Sequence, residues 1–504
     1  MPISNYSIPG VYVTQSGSAL TSVNPTNLNI AIVADQAVSG TATDVFYGIT
    51  GASGINIGTL SYPTAASGGA SVTWVNPTGT TITGTYGRDY VFSTSGGITT
   101  ITTSGVTGAS VYPSGTVSVT YNHLWGAYGK YNSFTQLTNV IGPAVVSLSG
   151  SSAAVNPAVL AAQLAFQNGA NTVTIMPVAR ISNGTTASDS DWANTFTAVG
   201  SGTNSNATML ASVPGVDVIV PIYPFTTSGN VQSSTSTVSA AISAYITKQT
   251  SNGIYQRFFI GVDGTTASVN ATGVQSLATG FNNTRISLCF PALLNYNPGL
   301  NTSNGLTNAT FNIGGQYMAA AVAGVFVGQP SVSTPVTNKQ VYGFADIPSQ
   351  ISSVDAATNY LPYGILTVRK KRDGNFWVLH GLTTNVSTWL TQEISINAVG
   401  DVLANNIKSD LENSYLVGGP MTKNTLSAVL GTVQGTLTNT ISSGLIQAYQ
   451  NLGLSVNPAA PTTVNVTFQY APTYPINYIQ VVFSLNTQTG QVVYGNAQSN
   501  LVVY

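Results

Sequence analysis

Hydrophobic and polar positions change rhythm several times along the chain, and each change predicts a different kind of element. From Asp44 to about His123, short alternating runs are punctuated by Gly and Thr, among them Ser71-Val72-Thr73-Trp74-Val75, Tyr90-Val91-Phe92, Ile98-Thr99-Thr100-Ile101 and Val117-Ser118-Val119-Thr120-Tyr121. Period-two alternation in runs this short predicts a small all-β unit. From about Leu124 to Pro335, helical and strand patterns take turns. Pro157 opens a helix through Leu160, Leu164 and Phe166, Asn168-Gly169 ends it, and Val173-Thr174-Ile175 follows as a strand. Val216 to Pro221, Phe258 to Val262 and Ile286 to Pro291 read as buried strands, with an amphipathic helix from Val238 to Lys248 between the first two. That order predicts an α/β sheet with helices on its faces. The small apolar stretch from Met318 to Val327 is far short of the ~20 residues a bilayer requires and reads as a buried helix.

The last third reads as a separate α+β unit. Ile365-Leu366-Thr367-Val368 and Phe376-Trp377-Val378-Leu379 form a hairpin turned at Asp373-Gly374. Two helices follow. The first sets Ile396, Val399, Leu403, Ile407 and Leu411 on one face, with Asp401, Lys408 and Glu412 off it and Lys408 and Glu412 spaced as an i,i+4 ion pair. The second runs on Leu426, Val429, Leu430, Val433, Leu437 and Ile441. Val464 to Tyr470 alternates as a strand, and after a Pro-containing turn Tyr478 to Phe483 does so again. Both chain ends are strand-formers: Pro9-Gly10-Val11-Tyr12-Val13-Thr14 at the front, Val492-Val493-Tyr494 and Leu501-Val502-Val503-Tyr504 at the back.

Composition changes the picture through charge. Hydrophobic residues make up 43% of the 504, enough to fill several cores, but only 5% are charged, 13 Lys and Arg against 14 Asp and Glu. An ordinary soluble domain carries about 25%. A net charge of -1 cannot release many counterions from a nucleic-acid backbone, so nucleic-acid binding and adhesion to anionic membranes are disfavoured. No residue from 2 to 34 carries a charge, and from Asn424 to Tyr504 the terminal carboxylate is the sole ionisable group at neutral pH. A surface made soluble by Ser, Thr, Asn and Gln suits a protein that meets copies of itself over a large area, where every buried ion would have to be desolvated and paired. An adhesin-like exposed surface, or compositional drift, are the alternatives. The first residues show neither a cationic n-region nor an apolar h-region, which predicts no secretory signal.

Candidate chemistry is sparse. One cysteine and two histidines permit no disulfide framework and no zinc site built from those ligands. Cys289 sits in an apolar run and reads as core, because reactive thiolates need electropositive, exposed surroundings. His123 and His380 end strands without a partner in a nucleophile motif, and neither a Gly-x-Ser-x-Gly elbow nor a phosphate loop is present. Asp189 and Asp191 could serve as a carboxylate pair for glycoside hydrolysis; the simpler reading is a helix cap before Trp192. Arg369-Lys370-Lys371-Arg372 is the one charge run, a solvated hairpin tip or a dock for an acidic surface. Sequons at Asn183, Asn206 and Asn308 are expected by chance in so Asn- and Thr-rich a chain.

Several passages, in order, resemble the contractile tail sheath proteins of bacteriophages. Ser7-Ile8-Pro9-Gly10-Val11-Tyr12-Val13 is similar to that family's Pro-Gly-Val-Tyr entry. Gly87-Arg88-Asp89-Tyr90 through Val119-Thr120-Tyr121 looks like its small β domain, and Ala161 to Ala170 like its helix before a strand. Gly315 to Gly324, Pro335 to Lys339, Leu361 to Ile365 and Gly381 to Thr384 resemble its passage into the C-terminal domain.

The resemblance implies an α+β multidomain fold: a C-terminal α+β assembly domain built with the N-terminal segment, plus an inserted small β domain and an inserted α/β domain. The expected boundaries are an N-terminal strand arm at 1–20, a discontinuous, tube-proximal core at 21–44 and 336–490, a β-rich insertion at 45–123, an α/β insertion at 124–335 and a C-terminal strand arm at 491–504. It further implies a non-enzymatic subunit that stacks in sixfold rings around a tail tube and contracts to drive genome ejection. Sheaths of phage-derived bacteriocins or injection particles would look alike; a surface adhesin or carbohydrate-active enzyme is a more distant alternative. Its partners would be itself, the tube protein, and baseplate and terminator proteins, with no cofactor, nucleic acid or membrane insertion. The expected location is the virion tail, assembled in the host cytoplasm. In such a subunit the arms would add strands to a neighbour's sheet, here through Pro9, Gly10, Val11, Tyr12 and Val13 at one end and Val492, Val493, Tyr494, Leu501, Val502 and Val503 at the other. Sheath subunits commonly meet their tube through charges, which are few here. Lys408, Asp410, Glu412 and Lys423, on the C-terminal helices, are the tube-facing candidates, with plain solvation as the alternative.

Overall fold

A computed structural model of the chain describes residues 28–35, 41–60, 70–76, 78–95, 98–104, 112–122, 129–149, 152–178, 187–196, 210, 215–226, 235–265, 269–298, 310–348, 351–414, 419–456, 464–477 and 479. Both expected arms, His123 and the three sequon asparagines lie outside the described residues, as does all but Ile479 of the strand expected at 478–483.

The first described strand, β1 (Ile30–Ala34), is followed by an all-β unit. It holds β2 (Thr41–Ile49), β3 (Asn56–Thr59), β4 (Ser71–Val75), β5 (Thr81–Thr83), β6 (Tyr90–Ser95), β7 (Ile98–Thr103) and β8 (Gly115–Asn122). These pair as a four-stranded sheet, β2-β8-β4-β5, and a three-stranded one, β3-β7-β6. Alternate residues point inward, so Val72, Trp74, Val117, Val119 and Tyr121 from one sheet meet Ile57, Tyr90, Phe92 and Ile101 from the other in a core of their own.

The chain then returns through β9 (Gly129–Tyr131) and α1 (Phe134–Ile141) to a small hairpin, β10 (Val145–Ser149) and β11 (Ser152–Val155). Helix α2 (Pro157–Gln167) begins where Asn156 caps it, its Oδ1 accepting from the Val159 amide, with Pro157 at the first helical position. After it come β12 (Val173–Pro177), α3 (Asp189–Phe196), β13 (Val218–Pro221), α4 (Thr235–Ser251), β14 (Arg257–Gly261), α5 (Ala271–Phe281) and β15 (Ile286–Phe290). A second hairpin, β16 (Leu293–Tyr296) and β17 (Phe311–Gly314), precedes α6 (Gln316–Val327), in which all residues are buried. Next are β18 (Gln340–Val341), β19 (Ile365–Lys370) and β20 (Phe376–Val378).

Nine of these strands make one sheet, β18-β20-β19-β15-β14-β13-β1-β12-β9, parallel from β12 through β19 and antiparallel at both flanks. Its central strands are buried on both faces, as parallel strands covered by crossover helices must be. On one face Ile30, Ile32, Val173, Ile175, Val218, Val220 and Phe259 pack under α2 and α6. On the other, Ala31, Val33, Ile219, Phe258, Ile260 and Leu288 pack under α3, α4 and α5. Gly324 makes the α2–α6 contact possible: a Cβ there would lie 2.4 Å from the Ala165 carbonyl oxygen.

Two expectations need correcting. Residues 124–335 do not close as a sheet of their own, because the 365–378 hairpin, assigned to the C-terminal core, pairs β19 against β15 through Leu288–Ile365 and Cys289–Leu366. The 21–44 segment likewise joins this sheet, with β1 between β12 and β13. Parallel pairing across long crossovers leaves no local trace in sequence, so neither partner could be read from it.

Candidate assembly surface

Residues beyond the sheet build a compact α+β unit. Helix α7 (Ile394–Asn413) buries Ile394, Ile396, Ala398, Val399 and Leu403 in its first half; from Asn405 onward Ile407 and Leu411 stay partly buried against the same core and the other side chains are exposed. Helix α8 (Lys423–Ser442) is capped by Thr422 and lays Val433 and Leu437 into the same core. Its Thr432, Thr438 and Thr440 hydroxyls donate back to carbonyls one turn earlier. Strands β21 (Ile446–Val456) and β22 (Val464–Pro472) then form a two-stranded antiparallel ribbon. Tyr449, Leu452, Val466 and Phe468 turn toward the core, while Asn465, Thr467 and Gln469 face outward.

Each ribbon strand pairs only with the other among the described residues, so both outer edges carry unpaired backbone donors and acceptors. Neither strand contains a charged residue, and long edges are normally protected by Lys, Pro or short length. An uncharged edge of this length is suited to accepting a further strand. Strand β21 escaped the sequence reading: its apolar positions are sparse, and register shifts, one beside Asn451 at φ 56°, break the alternation.

Polar clusters fix this unit to the main sheet. Arg257, at the start of β14, reaches Asp401 on α7 at 2.8 Å, and Arg285 meets the other carboxylate oxygen at 2.5 Å while lying over the Tyr255 ring. Asp401, expected off the apolar face of its helix, is buried beneath these guanidiniums. Burial pulls the Arg257 pKa down, and the Asp401 charge works against that pull. Nearby, a cavity of about 30 Å³ is lined by Asp217, Arg257 and Asp401 among others. Burial pushes the Asp217 carboxyl up to about 6, opposed by the Asn29 amide that donates to it at 2.9 Å. At the other end of α7, Glu393 Oε2 lies 3.0 Å from His380 Nε2, and Asn477 Nδ2 lies 3.1 Å from each. That triangle holds the residues just past the ribbon against the exit of β20.

The four tube-facing candidates are all exposed on α7 and α8 but do not converge on one feature. Asp410 turns toward α8 and accepts from the Thr436 hydroxyl at 2.5 Å. The ammonium of Lys408 stands beside Gly253, after α4, where a Cβ would lie 3.6 Å away. Lys408 and Glu412 form no ion pair among the described residues, contrary to their spacing, and Lys423 opens α8. The basic run is also less solvated than expected: Arg369 bonds the Ser353 hydroxyl, Lys370 pairs with Asp346 at 2.9 Å, and Lys371 sits 4.2 Å from the centre of the Trp377 ring.

The other candidates have structural roles. Asp191 is buried and accepts from the amide and hydroxyl of Ser188 at 2.9 and 2.8 Å, capping α3, and Asp189 accepts from the Tyr223 hydroxyl at 2.7 Å. Cys289 is buried in β15, and burial raises its thiol pKa. Among the described residues no His, Cys, Asp and Glu group of three or more could hold a metal ion, and no helix is long and apolar enough to cross a membrane.

Comparison with known proteins adds an independent line. Residues 387–486, which span α7, α8 and the ribbon, match the phage tail sheath C-terminal domain. The tail sheath protein of Mycobacterium phage Bxz1 is 26% identical over 391 residues, which cover 77% of this chain; the chain spans 61% of that relative's length. Among solved structures, a chain of the contracted helical sheath of the anti-feeding prophage superposes with a TM-score of 0.51 at 15% identity, over 72% of this chain and 89% of that one. A chain of the same particle's sixfold-symmetrised baseplate gives 0.50 at 16% identity, over 72% and 88%. These two show a shared fold, while the domain match and the phage relative are likenesses in sequence to contractile tail sheath proteins, over residues 387–486 and over 391 residues respectively.

Proposed function

We propose that the chain is the structural subunit of a contractile phage tail sheath, polymerising helically in sixfold rings around a tail tube and contracting to drive the tube through a host envelope. One observation carries this reading: the segment that matches the sheath C-terminal domain is the one that presents an uncharged ribbon with two open edges. Strand arms at Pro9–Val13 and Val492–Val503 of neighbouring copies would add to those edges. At ~0.5 to 1.5 kcal/mol net per hydrogen bond, four bonds per arm contribute roughly 2 to 6 kcal/mol, weak singly and large over a polymer. The role is mechanical, with the tube, baseplate and terminator proteins as partners and no reaction catalysed.

A second reading is favoured by the fold shared with the anti-feeding prophage sheath: the subunit could serve a phage-derived injection particle rather than a virion tail. Negative-stain electron microscopy of the purified protein, alone and with candidate tail tubes, tests both. Hollow, striated tubes of uniform diameter are expected. Dispersed particles under every condition, tubes present, would contradict the sheath role. Isolation of the chain from particles with or without a DNA-filled head separates virion from injection machine.

A further inference from the structure

The basic run at 369–372 is a motif that the sheath role leaves without a use. It closes β19 at one edge of the nine-stranded sheet, where Lys339, just before β18, joins it. Five of the chain's 13 cationic side chains are gathered at this corner, against the nearby carboxylates of Asp346, Asp355 and Asp373. Pairing within the chain does not use them all. Asp346 takes up Lys370 and the Ser353 hydroxyl takes up Arg369, but Arg372 and Lys339 have no side-chain partner among the described residues.

The hairpin tip that carries these charges is held in place. The Lys371 amide donates to the Asn375 carbonyl at 2.9 Å, the Gly374 amide to the Lys371 carbonyl at 3.0 Å, and the Trp377 indole to Asp373 Oδ2 at 3.2 Å. The Lys371 ammonium lies 4.2 Å from the centre of the Trp377 ring and donates to Asn338 Oδ1. Solvation alone requires no such fixing, whereas side chains already ordered lose less freedom when a partner binds. An aromatic flank adjoins the cations: Gln340 and Arg369 stand opposite Trp377 on its two sides, and the Tyr342 hydroxyl, on a side chain 52% exposed, donates to Gln340 Oε1 at 3.0 Å. Trp, Tyr and Arg side by side are the residue types that interfaces favour.

We infer that this corner is a docking surface for an acidic face of a different protein. The counter-charge does not come from a second copy. All 14 carboxylate side chains lie among the described residues, and each except Glu412 accepts a hydrogen bond or ion pair within its own chain. Glu412 is isolated, four positions from the unpaired Lys408, and forms no acidic face. The chain is therefore net -1 by formal count while the charge it has left to offer a partner is positive. A nucleic-acid backbone fits this corner poorly, because its continuous row of phosphates would meet Asp346, Asp355 and Asp373 along with the cations. Carboxylates spaced on a protein surface can face the cations singly, Arg372 holding one through its planar fork. The corner lies outside residues 387–486, away from the helices of the tube-facing candidates, and its use does not depend on the sheath reading.

The test titrates the full-length chain into a fluorescein-labelled peptide of alternating Glu and Ala, with anisotropy giving Kd at low salt, where exposed charges are least screened. Saturable binding is expected, weakened about tenfold in the Lys339→Gln, Arg372→Gln double variant, the loss of two exposed ion pairs. Its circular dichroism should match the parent, since neither side chain has a partner to lose. Lys130→Gln, on β9 at the opposite edge of the same sheet, should leave Kd unchanged. Absence of saturable binding, or an equal loss from Lys130→Gln, overturns the docking surface. Duplex DNA of equal charge binding as tightly as the peptide assigns the corner to nucleic acid and overturns the acidic protein partner. Electron microscopy of the same preparations keeps the two readings apart: tubes from a chain that ignores the peptide overturn this inference alone.

Discussion

Arg257 and Asp401 stand 144 positions apart in sequence and 2.8 Å apart in space, joining the start of a central strand of the main sheet to the first half of α7. In a chain with so little charge, three of its ionisable groups are gathered at the junction between the sheet and the unit that matches the sheath C-terminal domain. A buried ion pair adds little net stability over an apolar contact, but removal of one partner strands the other in a medium that cannot solvate it.

Asp401→Ala should therefore cost roughly 3 to 5 kcal/mol, since it abandons two guanidiniums at once. Arg285→Ala, at the more exposed of the two, should cost less. Urea unfolding of the purified subunit gives both numbers; equal losses would show that burial does not set the hierarchy.

Asp217 predicts a pH slope. Its folded carboxyl titrates at about 6, above the ordinary unfolded value near 4, so the folded state holds the proton more tightly. Stability should fall as pH rises from about 4 to about 6, then stay lower, a loss of about 3 kcal/mol at most. Asp217→Asn abolishes the ionisation while its Oδ1 can still accept from Asn29. The variant should gain on the parent chain between pH 4.5 and pH 7, read as the shift in urea midpoint; an unchanged difference at both values would contradict the assignment.

Gly324→Ala tests the helix contact beneath the sheet. The added methyl meets the Ala165 carbonyl at 2.4 Å, a backbone atom that cannot turn aside. Overpacking of this kind costs about 1 to 3 kcal/mol. A lowered thermal midpoint is expected, and an unchanged one would mean that α2 and α6 separate freely.

Removal of residues 1–14 should leave folding intact, since β1 begins at Ile30, and abolish polymerisation. Circular dichroism and unfolding curves should match the full chain while electron microscopy finds no long tubes. Normal-length tubes from the truncated chain would remove the N-terminal arm from the account.

What the sequence revealed and what it hid follow from range. Met318 to Val327 is apolar all round, and α6 is buried all round. Val117 to Tyr121 alternates, and β8 buries Val117, Val119 and Tyr121. These are local patterns with local causes. The partners of Asp401 are not: they lie 116 and 144 residues away, so a position spaced like a solvated helix face is a buried junction. The place of β1 between β12 and β13 was equally invisible, because crossover connections set strand order and no residue in Ile30–Ala34 encodes its neighbours. Asn477 could not be singled out at all, since its role depends on where His380 and Glu393 come together.

The central claim is that copies join through strand addition to the β21–β22 ribbon. Cryo-electron microscopy with helical reconstruction of the assembled polymer tests it most directly. The account predicts a sheet of more than two strands at this position, with the added strands traced to the uncharged ends of neighbouring copies and backbone hydrogen bonds along β21 or β22. A polymer in which both ribbon edges stay bare, its subunits held through other faces, would contradict it.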